Sequence, residues 1–311
     1  MVALKKLGEG LVFLWLLTLV AFAVVKLAPG DVVLSMLRID TVAVTNEQIE
    51  ALREELGLNM PIWQQYLAYL GSLAHLDFGT SAMTGQPVIA EIGKAFPATL
   101  MLAGYALALA LILAAILGAV GARFAGRWPD RGVLAFCMLG ASIPTFWLAL
   151  VMLNVFSVRL GVVPSMGMGD GGMILPTVAL AFAVAPPYIK ILRNSLIESQ
   201  DLDFVRASRS RGLGEQVIFF RHILRASLIP VVTIAGVSLG SLLGGTVVVE
   251  KIFGIPGVGK LMLEALTRRD YAVIQAFIIL IGVIVFLINT LVDLSYRWLD
   301  PAISLKGKAR A

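Results

Sequence analysis

Gly254, Gly259 and Lys260, in the stretch GIPGVGKL, stand where a phosphate-binding loop G-x-x-x-x-G-K-[ST] places its glycines and lysine. Such a loop cradles phosphates on backbone N–H groups, sets the lysine on the terminal phosphates and holds Mg²⁺ with the final hydroxyl. Here that position is Leu261, which has no oxygen to offer. The preceding GGTVVVEKIF reads as the end of an apolar helix, not as the core strand the loop requires. Other chemistries lack their residues. A single cysteine, Cys137, excludes an intramolecular disulfide, and His75 and His222 are too few for a Cys/His metal cluster. There is no H-E-x-x-H, no G-x-S-x-G and no carboxylate pair within the apolar segments. Met166, Met168 and Met173 would suit soft Cu(I), but packing is the plainer role. No catalytic residue, metal or cofactor is expected.

The elements that carry these residues are those of a membrane protein. Of 311 residues, 59% are hydrophobic and 14% charged, with a mean hydropathy of +0.89; soluble domains hold about a quarter charged residues. Six apolar segments stand out, at 7–28, 97–121, 132–156, 174–192, 228–249 and 273–297. Each is near the ~20 residues that a helix needs to cross a bilayer. The first follows Lys5 and Lys6 as a signal peptide would, but its apolar run is long and no small-residue cleavage site follows, so a retained helix is expected.

Charge orients the chain. With the N-terminus inside, the inner pieces and the flanking Glu9 and Arg297 hold 16 Lys and Arg against 7 Asp and Glu, and the outer pieces hold 8 against 12. That is the positive-inside bias. It assigns the pI near 9.4 to cytoplasmic loops, not to nucleic-acid binding. The expectation is an all-α integral membrane protein with both termini cytoplasmic, in which 1–96 is a first helix plus an outer segment and 97–311 a five-helix core. GIPGVGKL then lies outside, where there is no ATP.

Within the helices, Gly236, Gly240 and Gly244 recur at intervals of four and expose backbone for close helix packing or a pathway lining. Ala114, Gly118 and Ala122 form a similar series. Pro144 should interrupt the third helix, and Pro186 and Pro187 the fourth. Asp293, with Asn289 a turn earlier, is the exceptional intramembrane charge, and Arg297 one turn on is its expected partner. In 29–96, TNEQIEALREELGL reads as an amphipathic helix capped by Thr45 or Asn46, covering the outer face.

The most informative segment is 193–230, RNSLIESQDLDFVRASRSRGLGEQVIFFRHILRASLIP. Phe204, Val205 and Ala207 precede a break at Gly212; Val217, Ile218, Phe219, Phe220 and Ile223 follow, interleaved with Arg221, His222 and Arg225. Two short amphipathic helices meeting at a glycine turn are expected, lying either on lipid or in a partner's groove.

This segment resembles the coupling loop of the permease subunits of ATP-binding-cassette importers, in the dipeptide, oligopeptide and nickel branch. The resemblance includes Arg211-Gly212-Leu213 and the closing Leu-Ile-Pro at 228–230. It departs from the importer-wide E-A-A-x-x-x-G in carrying Arg206 and Ser208 at the first and third positions. The resemblance extends over GLNMPIWQQYLAYLGSLAHLDFGTS at 57–81, VVVEKIFGIPGVGKLMLEAL with RRDYAVIQ, and NTLVDLSYRWLDPAI at 289–303. It implies a type I importer permease of the inner membrane, with a second permease subunit of a different, related chain, two cytoplasmic ATPase subunits that hydrolyse the ATP, and an extracytoplasmic binding protein. It also implies that loop 193–227 docks into the ATPase through Arg206, Ala207, Ser208, Arg211, Gly212, Leu213, Phe219 and Arg221. Gly254, Pro256, Gly257 and Gly259 would shape an outer turn facing the partner permease or the binding protein. Peptides are the branch's commonest cargo, with nickel and glutathione as others. A self-sufficient carrier would show midplane charges or repeated broken helices, and neither is evident.

Overall fold

The apolar runs become long helices because, in lipid, a helix satisfies its own backbone groups. The protein's structure, a computed structural model, describes residues 2–27, 45–55, 57, 59–165, 167–169 and 171–299. Among them there is no strand, only an isolated antiparallel bridge between Thr80 and Pro87. The chain groups into two compact units, Met1–Thr99 with Pro256–Phe286, and Leu100–Ile255 with Leu287–Ala311.

In the first unit, α1 (Val2–Leu27) is followed by α2 (Asn46–Glu55) and α3 (Ile62–Ala74). The N-terminal part of α4 (Val88–Arg123), α11 (Val258–Arg268) and the first half of α12 (Tyr271–Leu299) complete it. Glycines let α1 and α12 touch: Gly282 faces the Leu17 side chain, and a Cβ at Gly10 would stand 2.6 Å from the Phe286 ring. The Phe13 and Phe286 rings stack at 5.7 Å. α2 matches the predicted outer helix, with Thr45 O accepting from Ile49 N at 3.2 Å.

The turn from 77 to 87 is held by a buried carboxylate. Asp270, 1% exposed, accepts Ser81 Oγ–H at 2.6 Å and Met83 N–H at 3.3 Å. It follows Arg269, whose left-handed φ of 58° ends α11 without a glycine. Removing the carboxylate strands the Ser81 hydroxyl, at about 1–3 kcal/mol, while Met83 N–H keeps Ser81 Oγ at 3.2 Å. Asp270→Ala is therefore expected to loosen 77–87, read as faster limited proteolysis there than in wild type.

The second unit holds the rest of α4, α5 (Trp128–Ser142), α6 (Thr145–Met152, continued by a wider π-type turn to Arg159) and α7 (Ile174–Ser199). Then come α8 (Asp203–Ser210), α9 (Glu215–Ile218), a π-type turn at Phe219–Ile223 and α10 (Leu224–Phe253). The small-residue series on α4 packs as expected: Ala114, Gly118 and Ala122 are all buried, and a Cβ at Gly118 would stand 3.2 Å from Leu192 Cβ of α7.

The two proline expectations fare differently. The interruption expected at Pro144 is present, since the third span is two helices, α5 and α6, meeting at 98°; the one expected at Pro186 and Pro187 is not. Ile143 before Pro144 is pushed to ψ 122° and closes α5, as the ring's clash with the preceding residue requires. Pro186 and Pro187, by contrast, lie inside an unbroken α7. Pro186 has no N–H for the carbonyl of Phe182, and Gly140 of α5 packs against that carbonyl: a Cβ there would stand 2.9 Å from Phe182 O and 2.8 Å from Pro186 Cγ. Among the described residues, five helices are long and apolar enough to span a membrane, or six if the bent pair counts as one span.

Candidate functional site

α8 shows how its sequence sets its orientation. Val205 and Ser208, three apart, face inward and are buried, while Arg206, Ala207, Arg209 and Ser210 are exposed. The Ser208 hydroxyl donates to Phe204 O at 2.7 Å, so its polar atom is satisfied within the helix. The helix ends in a Schellman cap: Gly212 N–H bonds Arg209 O at 3.0 Å and Leu213 N–H bonds Ser208 O at 3.3 Å. Gly212 takes φ 73°, where a side chain is strained although the space around it is open. The predicted glycine turn is thus present.

The second half is less separate than expected. α9 runs through the π-type turn directly into α10, so Glu215–Phe253 is one helical rod, whereas α8 is set off from α7 by a turn at 200–202. Val205, Ile218 and Ile223 form a cluster with Ala122, Leu192, Leu196 and Val231. Full burial of such side chains is worth about 1.5–3 kcal/mol each. The loop is therefore fixed to α4, α7 and α10.

The eight residues that the resemblance nominated fall into two groups. Arg206, Ala207, Arg211, Gly212, Leu213 and Arg221 are exposed on the loop. Ser208 is buried and Phe219 half-buried, the latter edge-on to Phe220 at 5.2 Å. The exposed set is extended by apolar residues of the same surface, Phe204, Val217 and Phe220, the last 68% exposed. Arg209 pairs with Glu215 across the turn at 2.9 Å, and that hydrogen bond and charge hold the guanidinium's pKa above its usual value. The pair is solvent-exposed, so it fixes geometry more than stability. Beside it a cleft of about 490 Å³ opens, lined by Arg123, Gln200, Gln216, Phe219 and Phe220 among others.

Sequence reasoning did not foresee what holds the loop's base. Asp130, 2% exposed at the start of α5, takes Arg193 of α7 in a two-pronged ion pair, Nε to Oδ1 at 2.5 Å and a second guanidinium nitrogen to Oδ2 at 2.6 Å. Gly126 N–H also donates to Oδ2, at 2.8 Å, from a left-handed turn with φ 78°. Ser199 and Ser227, buried on α7 and α10, bond at 3.1 Å. The 63-residue separation of Asp130 and Arg193 leaves no local pattern that would link them.

The other nominated residues are placed as follows. Gly236 and Gly240 are half-buried; Gly244 is exposed, with open space where a Cβ would be. Pro186 is buried and Pro187 exposed. Gly254, at φ 65°, closes α10, and Gly257 precedes α11. Gly259 is not in the turn but buried in the first turn of α11. The near phosphate loop is thus helix–turn–helix, and Val258 N–H, which a phosphate would use, is bonded to Thr99 Oγ1 at 2.8 Å. The side chains of Asp293 and Arg297 lie outside the described residues, as does Met166. Among the described residues no cluster of His, Cys, Asp and Glu could hold a metal.

Comparison with known proteins agrees over nearly the whole length. Residues 110–305 match the family described as "Binding-protein-dependent transport system inner membrane component". Residues 2–103 match the one described as "Binding-prot-dependent transport system membrane comp, N-term". The glutathione transport system permease protein GsiC of Escherichia coli (strain K12) is 36% identical over 294 residues, 94% of this chain and 95% of that protein. A Brucella abortus (strain 2308) protein, provisionally named a peptide transport system permease protein, is 34% identical over 309 residues, 96% of this chain and 98% of its own. Among solved structures, the inward-facing MetNI methionine ABC transporter shares the fold, with a TM-score of 0.55 at 20% identity over 68% of this chain and 97% of that one. The chain therefore belongs to the binding-protein-dependent transport system inner membrane components, as a multi-pass permease subunit with the fold of ABC importers.

Proposed function

We propose that this chain forms half of the translocation pathway of an ATP-driven peptide importer, with loop 193–227 as its contact to a cytoplasmic ATPase subunit. The single observation that carries the docking role is the arrangement of α8 and Gly212: a buried apolar face locks the loop to the membrane helices, and a cationic and apolar face is left outward. A knob fixed on one side and exposed on the other can transmit a partner's movement, because packed elements switch between discrete arrangements. ATP hydrolysis belongs to separate subunits, and an extracytoplasmic binding protein delivers the cargo. The second permease is a related but different chain. Peptide cargo rests on the provisional name of the Brucella relative. Glutathione, itself a tripeptide, is a second reading favoured by the Escherichia coli relative.

The test is co-purification of the tagged protein from its native membrane, followed by ATPase assays of the complex. Wild type is expected to retain ATPase subunits, whereas Gly212→Asp and Arg206→Glu lose them or hydrolyse ATP without uptake, by about tenfold where one contact of ~1.4 kcal/mol is lost. A wild-type protein that moves solute without ATP or any associated ATPase would overturn the reading. Competition between peptides and glutathione for uptake separates the two cargoes.

A further inference from the structure

We infer that α3 (Ile62–Ala74) is embedded in the lipid of the leaflet at the Lys26 end of α1, with Trp63 and Leu67 turned to acyl chains. Its attachment sets its depth. The Lys26 ammonium, near the end of α1, bonds Gln65 Oε1. Deeper along α1, Thr18 Oγ1 lies 2.9 Å from Tyr66 Oη. The Thr18 hydroxyl donates to Trp15 O at 2.7 Å, so the Tyr66 hydroxyl is the donor to Thr18. Phe22, between these two levels, meets the rings of Tyr66 and Tyr69 at 5.4 and 5.9 Å.

α1 crosses the membrane through Gly8–Leu27. Thr18 lies nine residues inside the end of that span, about 13 Å at 1.5 Å per residue, against a half-thickness of about 15 Å. A helix whose tyrosine reaches that level is not clear of the bilayer. The side of α3 turned away from α1 has the composition that this depth demands: Trp63 is 61% exposed and Leu67 56%. α1 itself exposes Leu16, Val20 and Val24. Gln65 sits at the Lys26 level, where headgroups begin, and Trp63 lies close to it, as the aromatic belt of membrane proteins prefers. An aqueous cap would not combine this outward tryptophan and leucine with an attachment to mid-span residues.

The experiment is spin labelling of Leu67→Cys, in a Cys137→Ala background, on the full-length complex in nanodiscs of phosphatidylethanolamine and phosphatidylglycerol. Collision with oxygen, which concentrates in acyl chains, is compared with collision with a water-soluble nickel chelate, and Val20→Cys on α1 serves as the lipid-facing reference. The expected result is an oxygen-to-nickel ratio close to that at Val20. Strong nickel collision would show an aqueous helix; low collision with both would show a face covered by another subunit or the binding protein. Either overturns the inference. If Leu67→Cys does not fold, the wild-type minus Trp63→Phe fluorescence difference is measured with brominated lipids, where strong quenching is expected and its absence overturns the inference. Neither readout depends on transport.

Discussion

Asp130→Ala is expected to be among the most destabilising single changes in the second unit, by about 3–5 kcal/mol, the cost typical of removing one partner of a buried ion pair. The carboxylate receives two guanidinium bonds and the Gly126 N–H, and only 3% of its side chain is exposed. Its loss leaves the Arg193 guanidinium, itself 16% exposed, with its bond to Asn194 Oδ1 at 2.8 Å but without its counter-charge. Space is also short, since a Cβ on nearby Gly121 would stand 3.1 Å from Arg193 Cδ. The measurement is thermal unfolding of the purified protein in one detergent, for Asp130→Ala, Arg193→Met and the double variant. The double is expected to regain much of what either single loses, because replacing both charges removes the uncompensated one. Additive losses would mean that the two side chains stabilise the fold independently. If Asp130→Ala alone leaves the midpoint unchanged, the pair is not the clamp between the α4–α5 turn and α7.

How far the sequence reveals this arrangement depends on the range of each interaction. The apolar runs and the Gly212 turn are legible because their causes are local: a span needs a continuous apolar stretch, and a Schellman cap needs a residue that tolerates positive φ. Amphipathic spacing marks the two short helices but not which apolar residues they bury: Val205, Ile218 and Ile223 are buried, whereas Phe204, Ala207, Val217 and Phe220 are exposed. The Asp130–Arg193 clamp and the Ser81–Asp270 bond are not legible, since their partners lie 63 and 189 positions apart and each residue alone reads as a surface group. Pro186 and Pro187 misled for the same reason. Pro144 and Pro186 break the same backbone rule, and only the tertiary surroundings decide that the first ends a helix while the second stays inside one. α3 shows a subtler gap: nothing in its own sequence sets its depth, whereas the bonds of Tyr66 and Gln65 to α1 do.

Gly140 provides the sharpest test of that tertiary account. In an α-helix interior, Gly→Ala ordinarily gains about 0.8–1 kcal/mol of propensity, and Gly132, earlier on the same helix with nothing within 4 Å of its would-be Cβ, should show that gain. Gly140 should show the reverse. A methyl there meets Pro186 Cγ at 2.8 Å and Phe182 O at 2.9 Å, and neither a ring nor a helix carbonyl can swing aside as a flexible side chain would. The expected cost of overpacking is about 1–3 kcal/mol for alanine, and leucine should exceed it by forcing α5 off α7. Separation would also leave the Phe182 carbonyl, already without the N–H that Pro186 lacks, facing no close neighbour in an apolar setting. Thermal midpoints of Gly132→Ala, Gly140→Ala and Gly140→Leu in one detergent are expected to fall in that order. Gly140→Ala as stable as Gly132→Ala would mean that α5 and α7 are not in close contact in the membrane. The proline pair would then need another support, and the unbroken course of α7 would lose its explanation.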